Sequence, residues 1–209
     1  SRNLDNILVG KYLGTASLGI YDKAYQLMRY PLLLLTFAMS PAIQPVMKEL
    51  KHDLYKFENL HSKFIRLVSV IGLVVGFIIC FLSEYIVSIL LGEQWGEVGS
   101  LLKILSVSIP IQIVMSTSGG VYQAAGRADL LLKCGLFAFF TNVTGIIIGI
   151  SLNDLELLSW AVVGSSFINY IQCYYIMGKY LLPSGAWDTL KNILVTLVGV
   201  IILFVTVIN

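Results

Sequence analysis

The residues with most chemistry to offer stand at the front of the chain. Arg2 and Asp5 are separated by one helical turn in Ser1-Arg2-Asn3-Leu4-Asp5, so on a helix they share a face and can pair. If that helix ends at Gly14, Asp5 lies about 14 Å below its end, with Arg2 one turn deeper. An ionisable pair at such a depth in lipid marks a functional site by default. The same two residues also read as a structural ion pair near a helix end, and both readings stand. Arg29 heads a second polar stripe, with Thr36, Ser40 and Gln44 following at helical spacing and Pro31, Pro41 and Pro45 interrupting the backbone ladder. A third runs through Ser62, Arg66, Ser69, Gly76, Cys80 and Ser83. A fourth holds Ser108, Gln112, Ser116 and Gln123, beside Pro110 and the pair Gly119-Gly120. Later come Thr141, Asn142 and Thr144, then Ser165, Asn169 and Gln172.

Such stripes do one of two things. Hydroxyls and amides bond across packed helices, where small residues let backbones approach, or they wall a shared water-filled cavity. Prolines in series and a Gly-Gly pair suit helices that bend, so both readings stay open for the stripes of Arg29 and Gln112. The later two stripes are read as packing.

The elements that carry these residues are set by hydropathy. The 209 residues are 57% hydrophobic and 12% charged, about half the charge of a soluble domain. A spanning helix needs about 20 mostly apolar residues. By that rule spans are expected at 24–47, 64–91, 101–124, 130–151, 156–178 and 190–208, with an incomplete one at 1–13. The expected fold is therefore all-α, an integral membrane bundle of about seven transmembrane helices. The first segment is too short and polar to span alone, so the sequence is read as a fragment whose first helix was cut.

Charge between the spans gives an orientation. Lys48, Lys51, Lys56, Lys63, Arg66, Arg127, Lys133, Lys179 and Lys191 fall on alternate connections, while the opposite set carries Lys11, Lys23, Arg29 and Lys103. The positive-inside rule places the first set in the cytoplasm and 92–98 outside. The segment 47–63 alternates charge and is expected to form a surface helix. His52 and His61, the chain's two histidines, lie on it and are read as solvated. Cys80, Cys134 and Cys173 sit singly in apolar runs and read as packing residues, with no metal site or cofactor implied. A net charge of +2 without a basic stripe argues against nucleic acid.

Several segments then carry a likeness. The run Arg2-Asn3-Leu4-Asp5-Asn6-Ile7-Leu8-Val9-Gly10-Lys11-Tyr12-Leu13-Gly14, with Leu18-Gly19-Ile20-Tyr21 and Ala24-Tyr25, resembles the opening of the second half of bacterial polysaccharide exporters. So do Gly92-Glu93-Gln94-Trp95 and Ala125-Gly126-Arg127. The family is that of the Wzx-type oligosaccharide-lipid flippases, within the MATE-like multidrug and polysaccharide exporter superfamily, and the likeness covers about residues 1–135. It implies a two-lobed transporter of the bacterial inner membrane that moves undecaprenyl-diphosphate-linked sugars between leaflets. This chain would be most of the second lobe, its partners the missing N-terminal lobe, the lipid-linked oligosaccharide, membrane lipid, and polysaccharide polymerase and chain-length machinery. On that reading Arg2 and Arg29 meet the diphosphate, because a guanidinium binds phosphate oxygens bidentately. Asp5 holds Arg2 or binds a coupling proton or sodium ion. Thr36, Ser40, Gln44 and Gln112 receive the sugar.

Three rivals remain in view. A small-molecule exporter of the same superfamily would share the hydropathy, but the Gly-Glu-Gln-Trp and Ala-Gly-Arg segments favour the polysaccharide branch. A ligase or polymerase using the same carrier needs catalytic side chains on a sizeable external loop, and the external links here are short. A purely structural subunit would have no use for polar stripes across several spans.

Overall fold

Long apolar runs leave the backbone one economical way to satisfy its polar groups, which is helix. The computed structural model describes residues 2–208, without the side chains of residues 2–4, 38 and 40–42. Its helices are α1 (Arg2–Tyr12), α2 (Gly14–Glu49), α3 (Leu54–Leu91), α4 (Gly96–Ser106), α5 (Ile109–Ala124), α6 (Ala128–Ser151), α7 (Leu155–Tyr180), α8 (Gly185–Asn192) and α9 (Leu194–Ile208). Short 3-10 turns at Leu50–His52 and Glu93–Trp95 complete the chain, and no strand occurs among the described residues.

Local chemistry sets the boundaries. Gly14 at φ +90° turns α1 into α2, a conformation that side chains resist. Asp53 caps α3 by accepting from the Lys56 amide at 3.1 Å, and Asp154 caps α7 by accepting from Glu156 at 2.7 Å. The hydrogen bond to Lys56 holds the Asp53 carboxyl below the usual carboxylate range. Pro110, which has no amide hydrogen and would crowd the carbonyl of Ser106, breaks the expected span 101–124 into α4 and α5, bent by 59°. The hydroxyls of Ser106 and Ser108 turn back onto the carbonyls of Lys103 (2.6 Å) and Leu105 (2.7 Å) around the break. A bend of 47° likewise separates α8 from α9 within the expected span 190–208.

Consecutive long helices run antiparallel. The connections at 50–53, 125–127 and 181–184 gather at one end, where Ser184 donates to Glu58, Asn192 to Ser62 and Arg127 to the Tyr180 carbonyl. The turns at 92–95 and 152–154 share the other end with Gly14. The core lies where α3, α4 and α5 meet, among Val68, Leu102, Leu105, Ile109, Ile111 and Val114. Small residues on α3 admit the break: a Cβ on Gly72 would lie 3.0 Å from the Pro110 Cα. Outward, Phe81 and Phe140 are each at least 65% exposed, an apolar surface suited to lipid.

The chain is thus all-helical, with apolar helices suited to a membrane. By length and composition α3 and α6 can each cross one, and up to four spans are reached if each bent pair counts as one. In α2 and α7, polar residues such as Asp22, Arg29, Asn169 and Gln172 dilute the apolar runs. Three expectations need correction. Residues 14–23, left between the expected segments 1–13 and 24–47, are the first turns of α2, since nothing after Gly14 stops the helix. The segment 47–63 is no separate surface helix; it is the end of α2, a 3-10 turn and the start of α3. His61 is buried, not solvated, stacked on Tyr174 of α7 with centroids 6.2 Å apart and its Nε2 without a partner among the described residues.

Candidate functional site

Asp5 is brought inside by the helix that carries it. One turn on, Val9 is buried in a cluster with Tyr21 of α2, Ile146 of α6 and Leu158 of α7, which seats α1 across the α6–α7 pair. Asn6 donates to Asp22 of α2 at 3.1 Å and fixes the rotation of α1. The face opposite lipid then carries Asp5, which is only 7% exposed. Its Oδ1 is buried and makes no hydrogen bond among the described residues.

The wall facing it is built by close packing of α6 on α7. Glycines make that approach possible: a Cβ on Gly149 would stand 2.6 Å from the Leu158 Cα, and one on Gly145 3.2 Å from the Ala161 carbonyl. The two helices are stitched by amides, Asn169 donating to Asn142 Oδ1 at 3.2 Å while its own Oδ1 accepts from the Thr141 hydroxyl. Gln112 enters from α5, just past the Pro110 break, and donates to Ser108 at 2.9 Å. Asp5, Tyr25, Gln112, Asn142, Ser166 and Asn169 are among the residues lining a cavity of about 290 Å³.

This chamber is rich in oxygen and holds one carboxylate, Asp5, among its lining residues. A buried carboxylate oxygen lacking a donor is costly unless a proton, a cation or ordered water completes it. Oxygen ligands of this kind suit a hard cation. The volume admits several waters or one hydrated ion, and it is far too small for an oligosaccharide.

The expected site residues separate into groups. Asp5 and Gln112 face the same cavity. Thr36 donates to Ser116 at 2.8 Å and Gln44 to Gln123 at 3.2 Å, so these two join α2 to α5 along a polar seam. Arg29 is half-buried on α2, away from the cavity, with no hydrogen bond or ion pair among the described residues. The side chains of Arg2 and Ser40 lie outside the described residues, and with them the expected Arg2–Asp5 pair. Asn142, Asn169, Ser166 and Tyr25 were not expected to share a chamber with Asp5. Both asparagines stood out in the sequence as mid-span amides and were read as packing; they pack and line the cavity at once.

These features define an all-helical membrane protein with a buried polar chamber. The comparisons then give its relatives. Residues 1–100 match the family described as polysaccharide biosynthesis protein. The chain is 27% identical over 198 residues to the teichuronic acid biosynthesis protein TuaB of Bacillus subtilis (strain 168), covering 86% of this chain and 36% of that one. Over 188 residues it is 25% identical to the lipopolysaccharide biosynthesis protein WzxC of Escherichia coli (strain K12), covering 88% and 37%. Similarity to the amylovoran biosynthesis protein AmsL of Erwinia amylovora is 28% over 144 residues, covering 69% and 35%. The chain therefore spans a little over a third of the length of these relatives. The resemblance to polysaccharide exporters is borne out, and it runs well past residue 135. No solved structure matches.

Proposed function

We propose that this chain is one lobe of a transporter that moves undecaprenyl-diphosphate-linked oligosaccharide across the bacterial inner membrane for surface polysaccharide synthesis. Support comes from relatives that all carry names of polysaccharide biosynthesis. The observation that carries the mechanism is the Asp5 carboxylate, buried in a polar chamber with its Oδ1 lacking a hydrogen-bond partner among the described residues. A lobe with a small ion chamber and a separate polar face divides the labour of coupled transport. Asp5, with Gln112, Asn142 and Asn169 around it, takes the coupling proton or sodium ion. Substrate is met on α2, where Arg29 offers its fork to the diphosphate and the Thr36–Gln44 seam lies beside it. Arg2, one turn below Asp5, completes the cationic path, and Ser40 the sugar contacts.

Filling the chamber neutralises Asp5 and removes the cost of its burial, so the packing of α1 against α6 and α7 differs between filled and empty states. That difference is what an ion gradient needs in order to drive a rocking lobe. The fold is read as multi-pass, about seven spans in this lobe, with 50–53 and 181–184 cytoplasmic and a second lobe facing α2. The reading is tested by deleting the full-length gene in its host. Lipid-linked repeat units are expected to accumulate on the cytoplasmic leaflet while surface polysaccharide is lost, and the gene restores both. Normal surface polysaccharide in the deletion strain would overturn it.

A further inference from the structure

The two ends of the bundle carry opposite charge. Where 50–53, 125–127 and 181–184 gather, Lys48, Lys51, Lys56, Lys63, Arg127, Lys133, Lys179 and Lys191 stand against Glu49, Asp53, Glu58, Asp129 and Asp188. Four of those carboxylates are engaged within the chain: Asp53 by Lys56, Asp129 by Arg127, Asp188 by Lys191, and Glu58 by the Ser184 hydroxyl. Lys48, Lys51, Lys63, Lys133 and Lys179 are exposed and enter no ion pair among the described residues, with Glu49 alone left to offset them. Arg66, further along α3, donates to the neutral Asn192 side chain. The half of the bundle towards Gly92 has the reverse balance, Asp22, Glu84, Glu93, Glu97, Asp154 and Glu156 against Lys11, Lys23 and Lys103.

Three of the unpaired lysines stand where charge gives way to apolar surface. On α3, Lys63 and Arg66 are followed by exposed Leu67, Val70 and Val74; on α6, Lys133 is followed by Leu136 and Phe140. After Lys191 the exposed side chains of α9 begin with Leu194, Val195 and Val198. Aromatic rings collect at the same end. The Lys179 Nζ lies 5.9 Å from the Tyr175 ring centroid and 5.3 Å from that of Tyr180, both rings exposed, and Trp187 on α8 is 79% exposed. Basic and aromatic side chains bordering an apolar band is the order a bilayer imposes from headgroup to acyl chain. An acidic protein partner would answer the lysines and leave that order without a cause.

We infer that this end of the bundle is a docking surface for anionic phospholipid headgroups of the phosphatidylglycerol type, with Lys63, Lys133 and Lys179 meeting their phosphates at the apolar border. The unpaired positive charge draws anionic lipid from a mixed leaflet, and the exposed rings of Tyr175, Tyr180 and Trp187 sit among the headgroups. The acidic half towards Gly92 has no such attraction, so the enrichment belongs to one leaflet. The surface goes beyond the transport reading and does not depend on it.

The test reconstitutes the full-length protein into phosphatidylethanolamine vesicles holding a small fraction of photoactivatable phosphatidylglycerol, with photoactivatable phosphatidylethanolamine in parallel. Mass spectrometry then maps the labelled peptides. Phosphatidylglycerol is expected to label 54–66, 127–140 and 175–191 in excess over 92–98 and 152–156, and phosphatidylethanolamine to label both ends alike. Each of Lys63→Gln, Lys133→Gln and Lys179→Gln should weaken the apparent affinity about fivefold, and the three together about a hundredfold. Lys11→Gln/Lys23→Gln, in the opposite half, should leave the excess unchanged. In the unmodified protein, salt at about 0.5 M should shrink the excess by screening, a readout that stands even if the triple variant does not insert. Added inorganic phosphate should not compete, since the headgroup is held by its place in the leaflet. Equal labelling of the two ends by phosphatidylglycerol, an excess untouched by the lysine variants or by salt, or displacement by free phosphate would each overturn the assignment.

Discussion

Asp5 is the residue on which the account turns, because its Oδ1 is buried without a donor among the described residues while the amides around it are paired with one another. Asp5→Asn removes the charge and keeps the shape, so membrane level should hold while export falls. Arg2 gives a complementary test. Arg2→Gln should abolish export at unchanged protein level, and Arg2→Lys should keep part of it, since lysine retains charge but loses the bidentate fork. Immunoblots of membranes read against surface polysaccharide separate transport from folding, and loss of the Arg2→Gln protein from the membrane would make its role structural. Asn169 has a mixed role. Asn169→Leu strips the partners of Asn142 and Thr141, and interhelical polar contacts in membranes average about 0.6 kcal/mol, so a loss of about 1 kcal/mol is expected. A small fall in melting temperature with a larger fall in export would mark the chamber wall. Equal falls would mark packing alone.

At the scale of the element, sequence was most informative where period and composition agreed. The apolar stretches at 64–91 and 130–151 lie within α3 and α6, the second nearly end to end. Pro110 was visible, but its effect was not, because a proline in a helix either kinks or ends it according to what packs on the break. Here Gly72 and Gly76 receive it. His61 misled for a related reason: its neighbours in sequence are polar, while its burial comes from Tyr174 of α7, more than a hundred residues on. Half of the chamber was legible, since Asp5 and Gln112 stood out by type and position. Asn142 and Asn169 were visible as amides, but whether an amide packs or lines a wall depends on the rotation of α6 and α7 about their axes, which Gly145 and Gly149 set. The Gly72 contact supplies a prediction. Gly72→Leu would drive a side chain into the Pro110 backbone and should cost about 2 kcal/mol of stability. Gly135→Ala, where a Cβ meets nothing within 4 Å, should be neutral or stabilising. Melting temperatures in one detergent decide between them.

For the whole molecule, two distributions matter: where the positive charge gathers and where the apolar surface is left open. Lys48, Lys51, Lys56, Lys63, Arg127, Lys133, Lys179 and Lys191 collect at the end where α2 meets α3 and α7 meets α8, so a cysteine at Gln94 should be labelled only from outside the cell. Labelling from the cytoplasmic side alone would reverse the bundle. Along α2, Leu34 and Phe37 are more than 70% exposed beside Arg29 and Gln44, a face suited to lie against a second lobe. Alone in detergent the chain should therefore behave poorly, and co-expression with an N-terminal lobe should restore export; rescue by this chain by itself would contradict the two-lobe reading. The most direct measurement places the full-length protein in proteoliposomes with a fluorescent undecaprenyl-diphosphate oligosaccharide in one leaflet and follows its arrival in the other. The account predicts transfer by the unmodified protein that depends on a proton or sodium gradient and is lost in Asp5→Asn. Transfer that proceeds equally with Asn at position 5, or no transfer under either gradient, would contradict it.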